Sequence, residues 1–347
     1  MPLPPISGIS YKKYGIEEKT LNFEKVLVTG GAGFIGSHIV DELLADGLEV
    51  SVLDDLSSGK MKNMEKHLNG KNFQFMKGDI RDERTAKQAV NDVDAVFHEA
   101  ALVSVTRSVE NPLLTNEVNV AGTLNLLKAS SDASVKRFIY ASSSSVYGET
   151  ETLPKKETVP TRPISPYAAS KLAAENYCKA FYKVYGLETV SIRYFNVYGP
   201  RQTYGPYSGV ITIFINRLLN DEPPIIYGDG MQTRDFTDVQ DAVQASLLSL
   251  NCKNAVGEEF NVATGQQTTI NQLAQTLLNL AGKTSLQPIH AEPRPGDIKH
   301  SYADISKAKK ILGYEPKITL KEGLNKLIEW YKKSPREGGK NEYDQLV

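Results

Sequence analysis

With 347 residues, 40% of them hydrophobic and 23% charged, the chain is long enough for two lobes, and a formal net charge of −1 gives no long-range field to attract nucleic acid or an anionic membrane. The two cysteines, Cys178 and Cys252, lie far apart without His or Cys neighbours at ligand spacing, which counts against a zinc site and fits thiols of a reducing compartment. No stretch reaches the length of a membrane span and residues 1–23 lack the apolar run of a signal peptide, so a cytoplasmic protein is expected, with 1–23 as a leader and 334–347 as a disordered tail.

Regular pattern begins with an apolar strand at 25–28, followed by Thr29-Gly30-Gly31-Ala32-Gly33-Phe34-Ile35-Gly36 and a helix opening near Phe34. Glycines 31, 33 and 36 satisfy G-x-G-x-x-G, and 30, 33 and 36 satisfy G-x-x-G-x-x-G. In either frame the missing side chains let the turn bend and the backbone approach a pyrophosphate, while the helix N-terminus offers N–H groups to phosphate. A glycine-rich turn alone is more often a plain loop. Context reverses that: the next strand, 49–53, ends in Asp54, where a carboxylate accepts hydrogen bonds from an adenosine ribose and repels a 2′-phosphate, so NAD is expected before NADP.

The strand–helix unit then repeats. A third strand at 73–76 runs into Gly78-Asp79-Ile80-Arg81-Asp82, with Asp82 as N-cap of a helix reaching Val90. A fourth at 95–98 leads into Glu99-Ala100-Ala101, whose small side chains leave a cofactor room against the backbone, and a long helix over 111–130 carries Asn119 at its middle. The fifth strand, 137–141, ends in the run Ser142 to Ser145 and then Val146-Tyr147-Gly148; a helix over 166–185 carries Tyr167 and Lys171; the sixth strand, 189–194, leads to Asn196. This alternation predicts an α/β fold, a Rossmann-type doubly wound parallel sheet with ligands at the carboxyl ends of its strands. Pro, Gly and Tyr crowd 197–209, a loop expected to fold over something. Helical periods at 211–219, 269–281, 304–312 and 320–333, with short strands at 225–227 and 259–262, predict a second, smaller α/β lobe. The expected division is a nucleotide domain at 24–196, with 236–262 returning to it, and a substrate lobe at 197–235 and 263–333.

Tyr167 and Lys171 stand four apart, on one helix face. Among 17 tyrosines such a pair arises by chance, but this one opens the helix that follows the serine-ended strand. To act as a base near neutrality a phenol must lose roughly three units from about 10, or about 4 kcal/mol in favour of the phenolate, which an adjacent ammonium and a positive nicotinamide ring together could supply. Ser143 then orients the same substrate hydroxyl. His98 reads as a satisfied core histidine, and His290 and His300 lack metal-type partners. Arg193, Arg201, Arg234 and Arg294 read singly as salt-bridge formers, while two converging on a cleft would suit a diphosphate.

The sequence resembles the extended short-chain dehydrogenase/reductase superfamily, in its UDP-sugar 4-epimerase branch, over residues 25–331. The resemblance rests on the glycine motif above together with Gly78-Asp79-Ile80-Arg81-Asp82, Tyr167-Ala168-Ala169-Ser170-Lys171, Arg193-Tyr194-Phe195-Asn196, Arg234-Asp235-Phe236 and Arg294-Pro295-Gly296-Asp297. It implies that Asp79 and Ile80 meet the adenine, that Ser143, Tyr167 and Lys171 are the catalytic trio, and that Asn119 supports them. It implies further that Asn196, Arg234 and Arg294 hold a UDP diphosphate, that Tyr227 lies by the uracil and that Asp297 meets the uridine ribose. With Gly30, Gly33, Phe34, Ile35, Gly36, Asp54, Ala100 and Ala101, these complete the expected cofactor and substrate sites. By the same analogy the two long helices carrying Asn119 and Tyr167 pair with their mates in a homodimer.

Departures within the family narrow the reaction. The nucleotide-sugar dehydratases place an Asp-Glu acid pair after the catalytic hydroxyl residue, whereas Ser143 is followed by Ser144 and Ser145. Uronate epimerases and decarboxylases tend to carry Thr where this chain has Asn196. Ser301 holds the position that borders the sugar's C2 substituent, where a small residue leaves room for an N-acetyl group. The expected reaction is C4 epimerisation of UDP-N-acetylglucosamine, UDP-glucose or both, with retained NAD and a transient 4-keto sugar. A UDP-uronate epimerase or decarboxylase, or a non-catalytic nucleotide-sensing member, are the alternatives.

Overall fold

The computed structural model describes residues 23–203, 209–293 and 298–333, so the expected leader and tail lie outside the described residues save Phe23. Six strands come first: β1 (Lys25–Thr29), β2 (Glu49–Asp54), β3 (Phe73–Lys77), β4 (Ala95–His98), β5 (Arg137–Ser143) and β6 (Glu188–Tyr194). Four short ones, β7 (Val197–Tyr198), β8 (Ile225–Tyr227), β9 (Thr233–Arg234) and β10 (Thr237–Asp238), precede β11 (Glu259–Val262), and β12 (Thr268–Thr269), β13 (Ile289–Ala291) and β14 (His300–Ser301) follow. The helices are α1 (Phe34–Ala45), α2 (Glu83–Ala89), α3 (Val105–Glu110), α4 (Pro112–Asn116), α5 (Thr123–Asp132), α6 (Pro166–Tyr185), α7 (Val210–Leu219), α8 (Val239–Asn251), α9 (Ile270–Ala281), α10 (Ser306–Leu312) and α11 (Leu320–Lys333).

Seven strands make one sheet in the order β11-β6-β5-β4-β1-β2-β3, every pairing parallel. Helices cover both faces, which is why the strands read as nearly unbroken apolar runs. The period of two still sorts their side chains: Val26, Val28, Phe97 and Ile139 pack in the core shared with α1 and α8, while Leu27, Val96, Phe138 and Tyr140 pack in the core shared with α2, α5 and α6. A third core, with Phe214, Leu218, Leu277, Leu324 and Leu327 at its centre, joins α7, α9 and α11 beside the short strands. Each side chain fully buried there contributes roughly 1.5–3 kcal/mol, so this lobe has a hydrophobic basis of its own.

Local chemistry sets the helix ends. Asp82 caps α2 by accepting the Arg84 and Thr85 N–H groups, as its position predicted. Ser165 caps α6 through the Ala168 N–H, Pro166 starts it, and Gly186 at φ +74 stops it. The helix expected over 111–130 is not uniform: α4 and α5 are separated by a π-helical turn, Glu117–Gly122, that contains Asn119. A wider turn rotates the side chains that follow, and such turns recur at functional sites.

Candidate active site

The glycine turn joins β1 to α1 at the middle of the sheet. Gly30 adopts φ +67 so close to the end of β4 that a Cβ on it would lie 2.6 Å from the Ala100 nitrogen, and a Cβ on Gly36 would run into the Gly30 carbonyl oxygen. α1 has Gly33 at its N-cap with no capping side chain, so the first-turn N–H groups of Phe34, Ile35 and Gly36 point out of the positive end of the helix. Asp54 closes the other side: its carboxylate accepts the Ala32 N–H at 2.9 Å and the Leu56 N–H at 2.8 Å, and burial pushes its pKa above the ordinary value. An ionised carboxylate has about four lone-pair sites, so acceptor capacity remains for a ribose diol. Asp79 is held by Arg81, whose Nε donates to it at 2.9 Å and keeps its carboxyl below the usual range, while Ile80 is buried against Gly122. A side-chain-free cradle, an uncapped helix start and a carboxylate at the next strand end fit a dinucleotide.

Ser143 ends β5, Tyr167 stands in the first turn of α6 and Lys171 one turn further on. Tyr167 hydrogen-bonds Ser143, whose hydroxyl also accepts the Ser145 N–H at 3.2 Å. The Lys171 ammonium donates to the Ala141 carbonyl at 2.8 Å and lies 5.2 Å above the centre of the Tyr140 ring. Burial lowers Lys171 to a pKa of about 8 against the opposing charge of Glu99. Burial and the Glu99 charge raise the Tyr167 pKa and the Ser143 hydrogen bond partly offsets that; the sequence argument called on a nicotinamide ring as well as an ammonium to lower it. Asn119 fastens the arrangement: its amide donates to the Leu102 carbonyl at 3.1 Å and to Ser170 at 3.0 Å, and Ser170 in turn donates to the Tyr167 carbonyl.

Asn196, Tyr227 and Arg234 line one cavity of about 330 Å³, together with Gln202, Gln232 and Phe236. Asn196 sits at φ +34 and donates to the Asp235 carbonyl at 3.1 Å. Parallel pairing of β14 with β9 sets the buried Ser301 beside Arg234. Ser143 pairs with Tyr194 across β5 and β6, two residues before Asn196, so the cluster of Ser143, Tyr167 and Lys171 adjoins this cavity. Arg294 and Asp297 lie outside the described residues.

Two arginines fall elsewhere than the cleft considered for them. Arg193 is buried against Glu175, with Nη2 to Oε1 at 2.6 Å, and Arg201 pairs with Asp41 at 2.7 Å. His98 is a satisfied core residue, its ring nitrogens 2.7 and 2.8 Å from the Thr29 and Thr123 hydroxyls, and burial drives its pKa down to about 3. Sequence reasoning passed over Glu99, Gln202 and Gln232. The position of Glu99, at the carboxyl end of a central strand, was the available signal.

A Rossmann sheet with a glycine cradle at its centre, extended by a second lobe, defines an extended short-chain dehydrogenase/reductase. The chain belongs to the GDP-mannose 4,6-dehydratase family, whose pattern matches residues 27–327. It is 43% identical to the UDP-glucose 4-epimerase of Thermotoga maritima, solved with UDP-glucose, with TM-score 0.84 over 89% of this chain and 99% of that one. The UDP-N-acetylglucosamine 4-epimerase of Methanobrevibacter ruminantium, solved with UDP-N-acetylmuramic acid, is 42% identical with TM-score 0.85 over 89% and 98%. The UDP-glucose 4-epimerase of Thermus thermophilus, solved with NAD, is 40% identical with TM-score 0.81 over 90% and 100%. The relatives also include a UDP-glucuronate 4-epimerase and a UDP-glucuronic acid decarboxylase.

Proposed function

We propose that the protein is an NAD-dependent UDP-sugar 4-epimerase acting on UDP-N-acetylglucosamine, UDP-glucose or both. The observation that carries this is Tyr167 hydrogen-bonded to Ser143, with Lys171 one helical turn away, beside the glycine cradle and next to the cavity of Asn196, Tyr227 and Arg234. NAD, when bound, supplies a reversible hydride acceptor for C4 of the sugar. Gly30, Gly33, Phe34, Ile35, Gly36 and Asp54 would hold it, with Asp79 and Ile80 serving the adenine and Ala100, Ala101, Asn119, Tyr167 and Lys171 the nicotinamide end. Tyr167 takes the 4-hydroxyl proton, Ser143 orients that hydroxyl, and Lys171 adds positive charge to the site. Arg234 and Asn196, with Arg294, grip the diphosphate, Tyr227 lies along the uracil and Asp297 meets the ribose. The transient 4-keto sugar, tethered only through the diphosphate, turns its other face and is reduced again.

The substrate lobe at 197–235 and 263–333 serves the UDP-sugar, and 24–196 with 236–262 serves NAD. The pairing of β11 with β6 and the packing of α8 on α1 support this division. Loss of water across the ring is disfavoured, since Ser144 and Ser145 stand where dehydratases carry an acid pair. Asn196 disfavours a uronate, and buried Ser301 beside Arg234 favours room for an N-acetyl group. Exposed Val103, Val105, Val109 and Leu113 on and beside α3 and α4, and exposed Tyr177, Val184 and Tyr185 on α6, which packs with them, support a homodimer through these helices.

The test is NMR of the purified protein with UDP-glucose, UDP-N-acetylglucosamine and UDP-glucuronate in separate tubes, without added cofactor. Epimerisation of one or both neutral sugars is expected, with turnover lowered about 10²–10⁴-fold in Tyr167→Phe while UDP binding is kept. Decarboxylation or epimerisation of the glucuronate alone would favour the rival reading. No reaction in any tube, with NAD retained, would point to a nucleotide-sensing protein.

A further inference from the structure

We propose that Glu99 is a positioning residue of this active site: held by the Tyr194 hydroxyl at the end of β4, its carboxylate is the counter-charge that keeps the Lys171 ammonium protonated during turnover. The proposal rests on the epimerase reading for the role of Lys171, and on geometry for the rest. Glu99 follows β4, and its N–H donates to the Thr29 carbonyl at 3.1 Å, which continues the strand by one residue. His98 pairs with Tyr140, so Glu99 stands opposite Ala141, whose carbonyl receives the Lys171 ammonium. From β6, the Tyr194 hydroxyl lies 3.2 Å from the Glu99 carboxylate and 2.7 Å from Ser246 of α8. Three adjacent strand ends thus gather the carboxylate, the ammonium and Ser143, which pairs with Tyr194.

Glu175 provides the contrast. It is fully buried where Glu99 is half-buried, and its two oxygens meet Arg193 while one also accepts from Ser142, as in a structural ion pair. Among the described residues Glu99 has the Tyr194 hydroxyl and no salt bridge. A half-buried carboxyl held by one hydroxyl and without an ion pair is retained at a cost, which calls for a role. The groups that share its field are Lys171 and Tyr167 from α6, Tyr140 from β5 and Tyr194 from β6; neighbouring His98 is neutral. Burial raises Glu99 to about 7, while Lys171 and the Tyr194 hydrogen bond oppose the rise. The coupling is mutual, since Glu99 raises Lys171 and also raises Tyr167. Removing the carboxylate therefore moves both titrations to lower pH.

Two measurements on the whole chain as purified test this. The first is the pH dependence of kcat/KM. Glu99→Gln is expected to draw the alkaline limb toward acid, with kcat/KM about tenfold below wild type there and near wild type on the acid side, where Glu99 already carries its proton, whereas Glu99→Asp restores the wild-type limbs. A uniform loss at every pH, or unchanged limbs in Glu99→Gln, would overturn the proposal as a merely structural effect. The second needs no turnover: infrared difference spectra between about pH 6 and pH 8 should contain the carbonyl stretch of a buried protonated carboxyl. That band should vanish in Glu99→Gln and move to higher pH in Tyr194→Phe; its persistence in Glu99→Gln would equally sink the idea. If wild type turns over no sugar, the epimerase reading has failed while the infrared result still decides the ionisation of Glu99.

Discussion

Two neighbouring side chains at the end of β4 oppose each other in their dependence on pH. His98, with a folded pKa near 3 against an ordinary value of 6.5, binds its proton less readily when folded, so its contribution is fully present above 6.5 and is lost as pH falls toward 3. Glu99 runs the other way: its folded pKa near 7 lies above 4.5, so the fold binds its proton more tightly and loses that contribution as pH rises from 4.5 through 7. Glu99→Gln is accordingly expected to stabilise the protein at pH 8 by on the order of 1–3 kcal/mol and to leave it unchanged near pH 5, as read by urea denaturation. Unchanged stability at both pH values would mean that Glu99 is well solvated. Ser301 offers a specificity test at the same scale. Ser301→Tyr should abolish turnover of the acetylated sugar by about a hundredfold or more and spare UDP-glucose, because overfilling a packed pocket excludes the larger ligand. Equal loss on both sugars would remove Ser301 from the argument. His98 was legible in the sequence as a core residue, and Glu99 was read only as a neighbour of two small alanines. Spacing gives the face on which a side chain lies, and gives nothing of what the adjacent strands place there.

At the scale of elements, α6 connects chemistry to stability. Its outer turn carries Tyr167 and Lys171, and its interior carries Glu175, locked to Arg193 of β6 and, through Arg193, to the Tyr147 hydroxyl at 2.8 Å. Arg193→Met leaves an uncompensated buried carboxylate and should cost about 3–5 kcal/mol, a change readable as a lower thermal midpoint; adding Glu175→Gln should recover part of it. A variant as stable as wild type would mean that water reaches Glu175. The bounds of α6 were legible because Ser165-Pro166 and Gly186 are strong start and stop signals. β4, β8, β11 and α11 also fall where the apolar period placed them. The π-helical turn was not legible, since one extra residue per turn leaves no period of its own, and α8, nearly all buried, has little polar face to betray it. Arg193 was read as a salt-bridge former, and it is one, but its partner was not legible for a related reason: Glu175 lies 18 residues away, and only the packing of α6 on β6 brings them together.

The whole molecule combines a seven-stranded sheet with a lobe built on its own core, and on the proposed reading one part fixes the site of chemistry and the other grips the nucleotide. What neither part covers is a set of apolar side chains. Val103, Leu113 and Val184 are 68%, 77% and 72% exposed, and Val109 and Tyr185 are exposed as well. They lie on or next to α3, α4 and α6, helices that pack on one another. Scattered exposed apolar residues need no explanation, but several on one group of helices ask for a cover. A two-fold axis along these helices would bury them against their mates, the self-complementary arrangement that closed dimers require. Because α6 also carries Tyr167, association there would stiffen the helix that aims the phenol proposed as the base. Light scattering at micromolar concentration should give twice the chain mass, and the double variant Leu113→Glu, Val184→Glu should give the monomer, since charge placed at the centre of an apolar contact cannot be desolvated unpaired. Activity should then fall through kcat more than through KM, for the cavity proposed to hold the nucleotide is lined by residues 196–270, away from α3, α4 and α6. A wild-type monomer would dismiss the dimer, and a double variant that stays dimeric would move the interface to another face.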